Sequence, residues 1–226
     1  MHRRSEARIQ ADGALLEGEL TIPDGAVGTV VFAHGSGSSR HSPRNRRVAE
    51  ALNDHRLGTL LFDLLEPGEE DVDRSTGALR FDIPLLGRRL IAAVDWLSAQ
   101  PVAGERGIGC FGASTGAAAA VVAAAGRPGI VGAVVSRGGR PDLAGDALQG
   151  VYAPSLLIVG GNDDAVLELN ERARGQMRCE AVLEVVPGAG HLFEEPSALE
   201  RVELLARTWF LRWLGDAAPL EEERTR

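Results

Sequence analysis

Residues 106–126 read RGIGCFGASTGAAAAVVAAAG, and three kinds of local chemistry meet within them. The opening RGIGCFG is short, apolar and glycine-rich, which predicts a strand buried on both faces. The closing GAAAAVVAAAG is helix-forming and apolar all round, so it predicts a helix enclosed by the protein, and it is too short to span a bilayer. Between them Gly112-Ala113-Ser114-Thr115-Gly116 forms a GxSxG pattern. Five residues in a chain with 28 glycines carry little weight alone; the strand before and the helix after give the motif its meaning. So tight a turn holds the serine in a strained backbone conformation, and the flanking glycines remove side chains that would clash. The hydroxyl is presented at the carboxyl end of the strand, where open α/β sheets bind ligands, beside a helix N-terminus that favours negative charge. Ser114 is the candidate nucleophile.

Outward from this stretch, short β-branched runs alternate with helix-length segments. GTVVFAH (28–34), GTLLFDL (58–64), RGIGCFG (106–112), IVGAVVS (130–136), SLLIVGG (155–161) and AVLEVVP (181–187) predict parallel strands. EARIQ and LLEGELTIP, joined at Ala11-Asp12-Gly13, predict an antiparallel hairpin at the sheet edge. Helices are expected over about 43–54, 82–99, 115–126, 165–176 and 196–214, the last with Pro196 in its first turn and Gly215 at its end. The fold class is therefore α/β: one domain over 1–215, a mostly parallel sheet of about eight strands covered on both faces, and a flexible charged tail at 216–226.

A serine hydroxyl needs a base. Of the five histidines, His2 lies in the terminal stretch, His41 and His55 in polar settings, and His34 at a strand end before a glycine. His191, in PGAGHLF just past the last predicted strand, sits where glycines let the backbone turn an imidazole over the sheet. It is the candidate general base. The acid should end an intervening strand, and LLIVGGNDDAV offers Asp163 and Asp164. Asp164 directly precedes the helix and reads as its N-cap, which leaves Asp163 to orient the histidine; Asp164 and Asp142 are the alternatives. Two backbone donors for a tetrahedral oxyanion are expected at Thr115, after the nucleophile, and at Ser36, in the glycine-rich His34-Gly35-Ser36-Gly37-Ser38-Ser39.

Composition removes other functions. All 24 basic residues are arginine, so phosphate-loop, Schiff-base and Ser-Lys chemistries have no lysine here to use. A formal charge of −8, with six phenylalanines, three tryptophans and one tyrosine, disfavours nucleic-acid binding. Cys110 and Cys179 suit neither a disulfide framework nor a metal cluster. No apolar leader opens the sequence, so a cytoplasmic protein, monomer or homodimer, without nucleic-acid or membrane partners is expected. Gly107, Gly109 and Gly112 formally spell GxGxxG, but they lie inside a strand, and 128–136 lack the acid a dinucleotide would need. Glu66, Glu69, Glu70, Asp71 and Asp73 read as a solvated acidic loop. Arg40 and Arg137, near the predicted site, could meet a substrate carboxylate, with internal salt bridges the alternative.

From VVFAHGSGSS through FDLLEP, GCFGASTG and LLIVGGNDDAV to PGAGHLFEEP, the chain resembles the α/β-hydrolase superfamily and, within it, the dienelactone-hydrolase-like family. The resemblance implies a triad of Ser114, Asp163 and His191, an oxyanion hole from Ser36 and Thr115, and no cofactor. The family prototype uses cysteine where this chain has serine, which turns the expectation from dienelactones toward general serine esterase activity on small or short-acyl esters or lactones. The segment between 136 and 155 is too short for a helical cap domain. A thioesterase, peptidase or acyltransferase with the same triad, or a binding protein without turnover, is the alternative.

Overall fold

The computed structural model describes residues 2–101 and 107–215; the tail expected at 216–226 lies outside them. Eight strands form one sheet: β1 (His2–Ala11), β2 (Ala14–Pro23), β3 (Gly28–Ala33), β4 (Leu57–Phe62), β5 (Gly107–Ala113), β6 (Val131–Arg137), β7 (Ser155–Gly160) and β8 (Ala181–Val186). Their spatial order is β1-β2-β4-β3-β5-β6-β7-β8. The pairs β1–β2 and β2–β4 are antiparallel and every later pair is parallel. The edge hairpin turns at Asp12 (φ 51°) and Gly13 (φ 81°), with Ala11 opposite Ala14. Two positive φ values are what a two-residue hairpin loop requires.

Strands β3, β4 and β7 are buried at every position, as a sheet covered on both faces demands. Helices α1 (Pro43–Asn53) and α6 (Ala198–Leu214) cover one face. On the other lie α3 (Ile83–Ser98), α4 (Gly116–Gly126) and α5 (Asp164–Gln176), where the side chains of Val94, Ala119 and Ala173 share one core. Helix α4 is buried on nearly all sides, as its uniform alanine and valine composition requires. The chain leaves β3 for β4 on one side and returns to β5 on the other. The carboxyl ends of β3 and β5 thus flank the switch point where such sheets bind ligands.

Three expectations are corrected. The acidic stretch is not a solvated loop: it forms helix α2 (Pro67–Thr76), closed by a capping box between Glu66 and Glu69. Three of its acids are paired, Glu69 with Arg89 at 2.6 Å, Asp73 with Arg80 at 2.7 Å and Asp71 with Arg74. Helix α5 begins at Asp164, so Asp164 is its first residue and Asp163, not Asp164, holds the N-cap position. Helix α6 begins at Ala198 rather than at 196, because Ser197 has a left-handed backbone (φ 62°) that no helix can contain.

Candidate active site

The turn from β5 into α4 places Ser114 at φ 51°, in the left-handed region that costs a non-glycine residue about 1–2 kcal/mol. Its surroundings hold it there. The Ser114 N–H donates to Arg137 O at 3.3 Å, and Ser114 O accepts from Arg140 N at 2.9 Å and Ala117 N at 3.1 Å. Helix α4 crosses β3 so closely that a Cβ on Gly116 would lie 2.3 Å from Ala33 O and 2.6 Å from His34 O. These contacts are with backbone, which cannot move aside. Gly116→Ala is expected to destabilise the protein by about 3 kcal/mol, a fall in Tm of about 8 °C by circular dichroism.

His191 follows β8 in a loop turned back over the sheet, and its Nδ1 lies 2.7 Å from Asp163 Oδ2. Asp163 stands at the head of α5 but makes no side-chain cap there; its carboxylate goes to the imidazole. This leaves Nε2 for other work, since an Nδ1–H donated to a carboxylate makes Nε2 the acceptor. The His191 loop lies against the segment after β6: a Cβ on Gly138 would be 2.9 Å from His191 O and 3.7 Å from its Cε1. Gly138 follows Arg137, to which Ser114 is bonded, so nucleophile turn and imidazole loop share this one support. Ser114 Oγ and His191 Nε2 are not themselves in hydrogen-bond contact, as is common before a substrate closes the geometry.

The loop after β3 meets the elbow at Ser36, whose Oγ lies 3.1 Å from Thr115 Oγ1. Among the described residues the backbone N–H groups of Ser36 and Thr115 donate to no backbone acceptor. Buried His34 braces this loop: its Nε2 accepts from Leu64 N–H at 3.0 Å, and Nδ1 lies 3.0 Å from Gly35 O. That pairing needs a neutral ring, and burial pushes the His34 pKa below its ordinary 6.5. A depressed pKa means the unfolded chain takes the proton first. His34 therefore contributes its full stability above pH 6.5 and loses it as pH falls through the lower folded value. Urea unfolding compared at pH 7.5 and 5 should show a smaller loss for His34→Gln than for the parent.

A cleft of 410 Å³ opens beside Ser36 and Thr115. Leu64, Leu65 and Leu86 give it an apolar wall, and Glu70, Asp73 and Arg80 a polar one. The polar wall comes from α2 and the turn after it, which no motif announced; the one sequence signal was Pro67 following an acid, a helix start. Arg40 is not free for a substrate: its guanidinium is bound to Asp63 and, at 2.8 Å, to Glu17. Arg137 is buried on the α1 side of β6, and Asp142 is held by Arg140 at 2.8 Å, whereas the carboxylate on His191 is that of Asp163. Cys110 lies inside β5, where burial pushes its thiol up to about 12. Among the described residues no helix is long and apolar enough to cross a membrane.

Residues 25–213 match the model of the dienelactone hydrolase family. A dienelactone hydrolase from Anabaena variabilis is 54% identical, superposes with a TM-score of 0.92, and matches over 94% of this chain and 99% of its own. Est1E from Butyrivibrio proteoclasticus, 18% identical over 92% of this chain and 98% of its own, has a TM-score of 0.75, a likeness of fold. Two proteins from strains of Mycobacterium tuberculosis, provisionally named phosphoribosyl transferases, are 55% identical over 217 residues. Those residues are 96% of this chain and 48% of theirs, so the chain spans about half the length of the curated relatives it matches.

Proposed function

We propose that this chain, which belongs to the dienelactone hydrolase family, is a serine hydrolase that cleaves small or short-acyl carboxylic esters through an acyl-enzyme. The observation that carries this reading is the 2.7 Å contact between Asp163 and His191, at the same end of the sheet as a left-handed Ser114. Ser114 Oγ attacks the acyl carbon and His191 Nε2 takes its proton. The oxyanion is met by the Ser36 and Thr115 N–H groups. Collapse breaks the bond to the leaving alkoxide, which receives the proton from His191. Water then attacks the acyl-enzyme, again through His191, and Ser114 departs reprotonated with the acid released. Asp163 holds the imidazole in the tautomer that leaves Nε2 basic, and stabilises it once protonated. Three leucines on one cleft wall suit a short acyl or alkyl group.

The provisional transferase name of the Mycobacterium tuberculosis relatives belongs, on this reading, to the half of those proteins outside the match. Fluorophosphonate labelling followed by peptide mass spectrometry tests the proposal without a guess at substrate. Adduct on Ser114, absent from Ser114→Ala, is expected. A folded protein that stays unlabelled would favour a binding role, and diphosphate release from a phosphoribosyl donor would favour the transferase.

A further inference from the structure

Two arginines lie together beneath the His191 loop with too few acceptors between them. Arg137 ends β6 with the same parity as Ala133 and Val135, which belong to the core on the α1/α6 side. Arg44, in the first turn of α1, is near enough to repel it. Arg137 is 7% exposed. Its Nε and Nη1 are buried and, among the described residues, meet no acceptor. Arg44 sends Nη1 to Glu194 Oε1 at 3.0 Å, while its Nε is likewise buried and unpartnered. Among the described residues the other deeply buried arginine, Arg89 at 1% exposure, differs in kind: it grips Glu69 with two bonds of 2.6 Å and Leu64 O with one of 2.7 Å.

An isolated buried guanidinium is costly, because burial removes hydration and nothing replaces it. Desolvation, with repulsion from Arg44 second, lowers the Arg137 pKa to about 10, so the group still carries its charge at neutral pH. Arg44 has one carboxylate, Glu194, and Arg137 has none among the described residues, so a single added negative charge would balance the two cations. The depth of Arg137 limits that charge to a group of few atoms. A guanidinium fork matches a carboxylate in geometry.

We propose that Arg137 and Arg44 form a binding site for one small monovalent anion of the carboxylate class, at the back of the nucleophile turn. The site bears on that turn because Arg137 O accepts the Ser114 N–H, and Gly138 supports the His191 loop. The carboxylate comes either from a free ion or from the acid arm of a substrate or product. The inference does not require turnover, so it stands apart from the proposed hydrolysis.

The test is thermal unfolding of the full chain at fixed ionic strength, with sodium acetate replacing sodium gluconate, whose anion is too bulky for the site. The Tm of the parent is expected to rise with the logarithm of acetate, by about 7 °C once acetate exceeds its dissociation constant a hundredfold. Arg137→Met, of similar length and no charge, should melt above the parent in gluconate and ignore acetate. Arg44→Gln should keep the response but move it to higher acetate, and it guards against a poorly folded Arg137→Met. The proposal falls if acetate and gluconate give the parent the same Tm, if Arg137→Met responds to acetate as the parent does, or if Arg44→Gln responds at the same acetate concentration as the parent. Monomethyl succinate, added to Ser114→Ala, separates the two sources. A rise in Tm that Arg137→Met abolishes assigns the site to a substrate arm; no rise, with the acetate effect intact, assigns it to free ions.

Discussion

Exchanging Ser114 for alanine is expected to lower kcat on a short-chain ester by about a millionfold, to the residual rate that oxyanion donors and binding supply alone. The loss should fall on kcat and leave the thermal stability nearly unchanged, because alanine suffers the same left-handed strain at φ 51° that serine does. Ser114→Gly, which relieves that strain, should be as inactive yet melt higher, the gain being about 1 kcal/mol. Together the two variants separate a backbone held under strain for function from a serine retained for packing. No neighbour can rescue the reaction. Cys110 lies inside β5 with its thiol raised to about 12, so it offers almost no thiolate near neutrality. Steady-state kinetics with a chromogenic acetate ester, beside thermal melts of all three proteins, is the measurement.

How much of this was legible in the sequence depends on what signal each element carries. Strands β3 to β7 are short apolar runs with turn chemistry between them, and burial on both faces leaves that mark directly; β8, at the sheet edge, is only partly buried but keeps a β-branched run. Helix α2 leaves none. Its sequence PGEEDVDRST holds one aliphatic residue, Val72, and that one is 56% exposed; the helix is fastened through Glu69 to Arg89 and Asp73 to Arg80. With no apolar stripe to read, acidic residues look like a solvated loop. Arg40 illustrates a different limit. Its partners, Asp63 just past β4 and Glu17 within β2, are brought together only by the sheet order, and sequence spacing holds no trace of that. The boundary of β6 moved by one residue, from 130–136 to Val131–Arg137. That single step puts Arg137 within the strand and, by the alternation of strand side chains, into the core on the α1 side.

The same one-residue sensitivity governs the acid. The sequence assigned the helix cap to Asp164 and thereby freed Asp163; the structure puts Asp163 itself at the cap position, yet turns its carboxylate to His191 instead of the helix. Asp163→Asn should therefore lower kcat by about ten thousandfold. An amide presents N–H toward Nδ1 as readily as oxygen. The imidazole then carries its proton on Nε2, where it cannot accept the one from Ser114. Folding should survive, since an asparagine at the helix head is itself a good cap. Asp164→Asn, an exposed position in the first turn of α5, should change kcat by less than about threefold, because it alters only a helix-end charge. The contrast carries more than either variant alone. Comparable losses in both would mean that the two carboxylates act jointly on the head of α5, and the 2.7 Å contact would then be a structural salt bridge rather than the orientation of a base. A large loss at Asp163 alone, with the melting temperature intact, is what an orienting carboxylate requires.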